Sequence, residues 1–419
     1  MRVKGKNKIG VLSLGCPRNL VDSENILGRL ASKGHRIVEM DKADTAIVNT
    51  CAFIEDARIE SIDTILELID LKRKGKLKKI IIYGCLSQRY RDELHKELPE
   101  VDAFVGKVSL NHNLADFRLT PRHYAYLKIC EGCVNNCSYC IIPKIKGRLT
   151  SLDAGSILRK IESFNKDKVS EINIVGQDIT GYGMDLGRTR GLPGLLKKII
   201  GRSPGIGWIR LLYLYPTRIT DELLDLVKNE PKICKYIDLP LQHINNRILG
   251  MMNRQVDKNA ILRVIDKIRR KVPNVAIRTS LIVGFPSETD DDFKELLDFI
   301  ADVKFERLGA FIYSREGGTR AYDFKDQVPE RIKRERFDIL MLRQQEISRD
   351  VNESFVGKVI DVLIEEKGKG YYLGRSQYDA PEVDGMVYVD SDRVLKTGGF
   401  VKAEITDTLE YDLVGKALS

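Results

Sequence analysis

No stretch of this 419-residue chain approaches the roughly 18 consecutive apolar residues that a membrane span needs. The opening Met1-Arg2-Val3-Lys4-Gly5-Lys6-Asn7-Lys8 carries no apolar core of the kind a secretory leader requires. These two absences predict a soluble, cytoplasmic protein with no membrane partner. Thiols kept in a reducing compartment serve more often as metal ligands or catalysts than as disulfides. The eight cysteines are few, and disulfide stapling does not explain them. An acidic excess is also lacking, since the net charge is +9. A modest basic balance suits an acidic or nucleic-acid-bearing partner, or simply a solvated surface.

Four of the eight cysteines lie within Cys130-Glu131-Gly132-Cys133-Val134-Asn135-Asn136-Cys137-Ser138-Tyr139-Cys140. Cys133, Cys137 and Cys140 form C-x-x-x-C-x-x-C, directly after the apolar run Tyr124 to Ile129. Three thiolates on one short loop can hold three irons of a 4Fe–4S cluster, which ordinarily takes four, and so leave one iron open to a small molecule. Structural zinc is a competing reading, because Cys130/Cys133 and Cys137/Cys140 each make C-x-x-C. Zinc ribbons separate their pairs by about a dozen residues or more, and here three intervene. A redox C-x-x-C motif leaves the other cysteines unexplained.

The chain is long enough for about three domains of roughly 150 residues. Residues 1–115 alternate strands and helices, which predicts a parallel sheet covered by helices. Strands are expected at Ile9–Leu14, His35–Met40, Thr45–Thr50 and Lys79–Gly84, with helices from Asn19 to Lys33 and from Ile54 to Arg73. Cys16, Cys51 and Cys85 follow three of those strands, 35 and 34 residues apart. Carboxyl ends of parallel strands line one crevice, so the three can converge as a second cluster site. A lone cysteine there would read as a small buried hydrophobe. Gly15 and Gly84 beside two of them let the backbone come close.

Residues 120–345 repeat strand and helix six times. This predicts a partial (β/α)6 barrel, with its functional loops at the strand carboxyl ends. That rim carries Gln177 and Asp178, Tyr213 to Pro216, Pro240 to His243, Gly284 to Glu288, and Phe311 to Ser314. Residues 351–419 show short strands with turns about every 10 residues, the signature of a small antiparallel β-barrel. This tail holds eight basic and thirteen acidic residues, −5 against +14 for the remainder. Such a tail repels phosphates and favours a basic partner.

The three-Cys first domain, the C-x-x-x-C-x-x-C barrel and the small C-terminal barrel occur in the order found in the radical S-adenosylmethionine methylthiotransferases, which the chain resembles over nearly its whole length. Ser13 to Glu24, Pro240 to His243 and Asp379 to Gly385 most resemble the branch that acts on an aspartate of the twelfth small-subunit ribosomal protein. The resemblance implies two 4Fe–4S clusters, one on Cys133, Cys137 and Cys140 with S-adenosylmethionine on its open iron, and an auxiliary one on Cys16, Cys51 and Cys85. It implies a TRAM-type C-terminal barrel and a flavodoxin or ferredoxin as electron donor. It also implies radical insertion of sulfur at the aspartate β-carbon, followed by methyl transfer. Gln177, Gln242, His243, Gly284 and Glu288 are the implied S-adenosylmethionine contacts, and Cys130 is a spare thiol. A tRNA adenosine methylthiotransferase and a non-catalytic iron–sulfur RNA-binding scaffold are the alternatives, with tRNA disfavoured by the tail's charge.

Overall fold

The computed structural model describes residues 7–106, 117–187 and 191–418. The junction placed from the sequence at 115–120 therefore lies partly outside the described residues, as does most of the Met1–Lys8 opening. The first domain is a five-stranded parallel sheet of β1 (Lys8–Ser13), β2 (Arg36–Ile37), β3 (Thr45–Thr50), β4 (Lys79–Gly84) and β5 (Ala103–Val105), in the order β2-β1-β3-β4-β5. Its helices are α1 (Pro17–Ser32), α2 (Glu55–Arg73) and α3 (Cys85–Glu97). The expected His35–Met40 strand shrinks to two edge residues. From there the chain turns through a 3-10 segment at Met40–Lys42. The strand β5 was not foreseen, because three residues are too few to show a period.

The central sheet has six parallel strands in chain order, Tyr124–Lys128, Glu171–Val175, Trp208–Leu211, Ile233–Asp238, Ala276–Val283 and Arg307–Ile312. Alternation gives each strand two destinations. Ala125, Leu127, Ile172, Ile174, Ile209 and Leu211 pack under the helices. On the other face Tyr124, Tyr126, Val175, Trp208 and Tyr236 meet Val21 of α1 and Leu363 and Ala380 of the C-terminal part. Both flanking domains thus press on the inner face of the open barrel. A 24-residue helix, Glu330–Glu353, packs against the last strand and turns Lys333, Arg336, Leu340 and Gln344 inward. Among the described residues no helix is long and apolar enough to cross a membrane.

The C-terminal strands Val359–Lys367, Tyr372–Ser376, Val387–Asp390, Phe400–Thr408 and Leu413–Ala417 close into a barrel. It is not wholly antiparallel as expected, because Val387–Asp390 and Leu413–Ala417 run parallel. Five is an odd number, and a closed ring of odd count needs at least one parallel seam. The segment Asp379 to Gly385 enters the base of the central barrel. There Arg307 donates to Asp379 Oδ1 through Nε at 2.8 Å and Nη2 at 2.5 Å. Arg278 pairs with Asp384, and Tyr236 donates to Asp384 Oδ2 at 2.6 Å. Part of the tail's acidic excess is therefore neutralised inside the molecule. Its surface is less negative than the count of −5 suggested.

Candidate metal centres

The central cysteine loop is held at both ends. Cys130–Glu131 pairs antiparallel with Thr150–Ser151. Gly132 has φ 69, and a Cβ there would lie 2.2 Å from the Arg148 carbonyl oxygen, so only glycine fits. Ser138 is tied through its N–H to Met252 O at 2.9 Å and through its hydroxyl to Met251 O at 2.7 Å. Cys140 N donates to Cys137 O at 3.1 Å, winding the last turn of the loop. Cys133 Sγ accepts from the backbone and side-chain nitrogens of Asn135, each at 3.4 Å. Cys137 Sγ accepts from Arg254 Nη1 at 3.8 Å, and that guanidinium stacks 4.4 Å over the Tyr215 ring. Burial pushes the Cys140 thiol up to about 12, opposed by the Ile142 N–H and by the charge of Arg18.

The second trio sits at the carboxyl ends of three adjacent strands. Cys16 caps α1, Cys51 follows β3 directly, and Cys85 opens α3 directly after β4. Gly15 has φ 87, and a Cβ on it would lie 2.7 Å from Cys51 Cβ and 3.0 Å from Cys51 Sγ. The space beside Cys51 exists because residue 15 has no side chain. Burial works against the Cys16 thiolate, but the charge and N–H groups of Arg18 draw the thiol below its ordinary value. Burial raises Cys85 to about 12; Lys146 opposes this, and Cys51 and Cys16 reinforce it. The three sulfurs therefore feel one another. Among the described residues no three His, Cys, Asp or Glu side chains close on one point as a single ion requires. A cluster makes no such demand, since each cysteine takes its own iron.

Cations link the two trios. Arg18 donates through Nε to Cys16 Sγ and through Nη1 to Gly176 O, both at 3.4 Å, and it acts electrostatically on Cys140. Lys146 is similarly placed toward Cys85 and Cys16. Behind them is a buried network. Lys128 donates to Asp22 and to Glu131 Oε2 (2.7 Å), and Lys146 pairs with Asp22 at 3.3 Å and Glu131 at 3.4 Å. Gln177 Nε2 closes it onto Glu131 Oε1 at 2.9 Å. Although burial opposes ionisation, the two lysines hold Glu131 well below the ordinary carboxylate range. Sequence reasoning missed this network. Its one visible trace was Lys128 inside an apolar strand, where an unpaired charge would be costly.

The other rim residues separate into two groups. Gln177 and Gln242 are half-buried at the rim, Gln242 with φ 78 and its backbone bridged to Leu281. Gln177 Oε1 is buried and has no hydrogen-bond partner among the described residues. His243, Gly284 and Glu288 form a buried knot behind the rim. Both Glu288 oxygens accept from Gly284 N at 3.0 Å, and Oε1 also accepts from Arg336 Nη1 at 2.8 Å. His243 Nδ1 accepts from Asn245 N at 3.0 Å, with Nε2 at 3.5 Å from Glu288. A Cβ on Gly284 would lie 2.2 Å from Lys333 Cγ. These three of the five residues thus brace the loop against the Glu330–Glu353 helix. Cys130 lies in the apolar core under the helices, its Sγ 3.8 Å from Asp178 O. Cys234 lies on the inner face of the sheet.

Three family models match in succession: Uncharacterized protein family UPF0004 over residues 8–106, the Radical SAM superfamily over 127–300, and the TRAM domain over 356–418. A protein of Thermoanaerobacter sp. (strain X514) named ribosomal protein uS12 methylthiotransferase RimO is 47% identical, covering 97% of this chain and 99% of that protein. One of the same name from Clostridioides difficile (strain 630) is 45% identical over 98% of this chain and 99% of its own. Among solved structures, the radical S-adenosylmethionine methyltransferase TsrM from Kitasatospora setae aligns with TM-score 0.54 at 11% identity, over 88% of this chain and 81% of that one. At that identity the likeness concerns the fold alone.

Proposed function

The chain belongs to the RimO family of ribosomal protein uS12 methylthiotransferases, and from that premise we propose that it methylthiolates the β-carbon of an aspartate in uS12. What supports the reading is Arg18, whose Nε bonds to Cys16 Sγ of the first domain while its Nη1 bonds to Gly176 O at the carboxyl end of the second central strand. The donor chemistry fits two clusters. Each set offers only soft thiolates, with N–H donors aimed at sulfur from Asn135, Arg254 and Arg18. The vacancy beside Cys51 is one that any side chain at position 15 would fill. Cys133, Cys137 and Cys140 would hold the 4Fe–4S cluster that serves S-adenosylmethionine, and Cys16, Cys51 and Cys85 the auxiliary one. When bound, the first supplies single-electron chemistry able to activate a C–H bond too weakly acidic for any general base, and the second supplies sulfur.

The chain's own residues bind, orient and exclude water. Gln177 offers a vacant buried carbonyl oxygen to the cofactor side of the rim, its amide fixed by Glu131. His243 and Glu288 keep the Gly284 loop rigid beneath. Tyr126, Val175 and Leu212 supply the apolar part of an inner face that also carries Lys128, Asn173, Arg210 and Asp238. A flavodoxin or ferredoxin would donate the electrons, and the cytoplasm, where ribosomal proteins are made, would be the site of action. Mass spectrometry of uS12 from cells with and without this chain tests the reading. A methylthio group gained on one aspartate is expected. Unchanged uS12 beside methylthiolated tRNA would overturn it. Anaerobic reconstitution should give about eight irons per chain, four at each site.

A further inference from the structure

Most buried cations of this protein face an acid. Arg210 and Arg375 meet Glu171, Arg307 meets Asp379, Arg336 meets Glu288, and Arg278 meets Asp238 and Asp384. Arg18 does not. It is half-buried, and among the described residues no carboxylate lies within ion-pair distance of it. Two of its five N–H groups are engaged, Nε by Cys16 Sγ and one on Nη1 by Gly176 O. Nη2 has no bond within the described residues. A half-buried guanidinium left in this state is a fork for a planar anion.

A second, independent feature lies beneath it. Tyr213 adopts φ 65, an outlier for a bulky residue. The strained turn is held by Asp238 Oδ2, which accepts from Tyr213 N at 2.8 Å, and by Ile179 N, which donates to Tyr213 O at 3.1 Å. It sets the ring under the Arg18 guanidinium, 4.6 Å from carbon to centroid. The first domain supplies the charge and the central barrel supplies the plate that fixes its plane.

Resting on the functional reading above, we propose that Arg18 binds the side-chain carboxylate of the target aspartate, with Tyr213 fixing its orientation, and so selects the residue to be modified. The reacting β-carbon is one bond from that carboxylate. Anchoring the carboxylate on Arg18 therefore holds this carbon where the first domain meets the rim of the central barrel, since Arg18 bonds to Cys16 Sγ on one side and to Gly176 O on the other. Asparagine, equal in shape but uncharged, would be held poorly.

The test uses anaerobically reconstituted holoenzyme and two forms of uS12, the natural one and one with the target aspartate replaced by asparagine. Wild-type enzyme should bind the natural form about tenfold to a hundredfold more tightly, the range for a hydrogen-bonded charge. Arg18→Gln should bind both forms alike, at the level wild type shows for the asparagine form, with the iron of the central loop and S-adenosylmethionine affinity retained. Arg18→Lys should recover part of the discrimination. Undiminished discrimination in Arg18→Gln would overturn the proposal, as would loss of S-adenosylmethionine affinity with discrimination intact. Should Arg18→Gln lose iron, wild type alone decides, because equal binding of the two forms refutes a carboxylate-reading residue. If wild type modifies uS12 but fails to discriminate, only the role of Arg18 falls. If it neither binds nor modifies uS12, the functional reading falls first.

Discussion

Replacing Lys128 by Met should loosen the joint between the first domain and the barrel, and the cost follows from charge. The Lys128 side chain is 1% exposed, Glu131 1%, Lys146 8% and Asp22 12%. Two cations and two anions balance there. Lys128→Met leaves two carboxylates facing one ammonium, and removing one partner of a buried pair costs about 3–5 kcal/mol. In urea, with a slope near 3 kcal/mol/M, that moves the midpoint down by about 1 M or more. Glu131→Gln leaves the opposite imbalance at a similar cost. The double variant keeps a balanced Asp22–Lys146 pair, so it should be less destabilised than either single variant. Acid provides a second check. Glu131 is held below its unfolded value by Lys128 and Lys146 against the cost of burial. Its contribution is therefore complete above the unfolded pKa of about 4.3 and is lost as pH falls through the folded value. Wild type should weaken below about pH 4, and Lys128→Met should weaken less on the same descent. Urea midpoints by circular dichroism at several pH values measure both effects. A double variant as unstable as the sum of the singles would refute the balance argument.

Gly15→Ala combines a disfavoured φ with a Cβ 3.0 Å from Cys51 Sγ, so it should lose the iron of the auxiliary site and keep that of the central loop. Iron analysis showing about eight irons retained would contradict this. Asn173 is fully buried, and neither amide atom has a partner among the described residues. Asn173→Leu should leave stability equal or raise it by about 1 kcal/mol, and a fall of that size in thermal unfolding would show a bound water or another hidden partner. Arg307→Met strands Asp379 at the docking segment, costing about 3 kcal/mol. Limited proteolysis should then cut near residues 354–358 faster than in wild type, and unchanged cleavage would mean that the apolar contacts of Leu363 and Ala380 suffice.

What could be read from the chain was local. Thr45–Thr50 and Lys79–Gly84 are bounded by turn residues and cysteines, and each forms a strand with those same limits. Asp290–Val303 announces its helix through the Thr289 capping box and an acidic first turn. Cysteine spacing marked both sets of thiols, because strand ends and short loops are properties of neighbouring residues. The pairings made across domains were not legible. Nothing near Arg18 in sequence points to Tyr213, and nothing near Asp22 points to Lys128 and Lys146. These contacts exist only once α1 packs on the inner face of the sheet. His243 and Glu288 show the same limit in another form. Their types suggested ligand contacts, but only the packing of the Glu330–Glu353 helix shows Arg336 and Lys333 behind them.

The same cross-domain contacts explain why a basic chain concentrates cations where its thiols lie. Six thiolates in one region repel one another and would resist ionisation in a buried site. Arg254 stands against Cys137, Arg18 bonds to Cys16, and the charge of Lys146 acts toward Cys85 and Cys16. Of these three, Lys146 is balanced by acids of its own, Asp22 and Glu131. Arg254 is buried, and its Nη2 is bound to Pro240 O at 2.5 Å. Its Nε has no partner among the described residues, as is true of Arg18 Nη2, but Arg18 is only half-buried and so the more accessible of the two. An acidic side chain entering between the domains would therefore meet Arg18, which like Arg254 has no carboxylate partner among the described residues but is the less buried of the two.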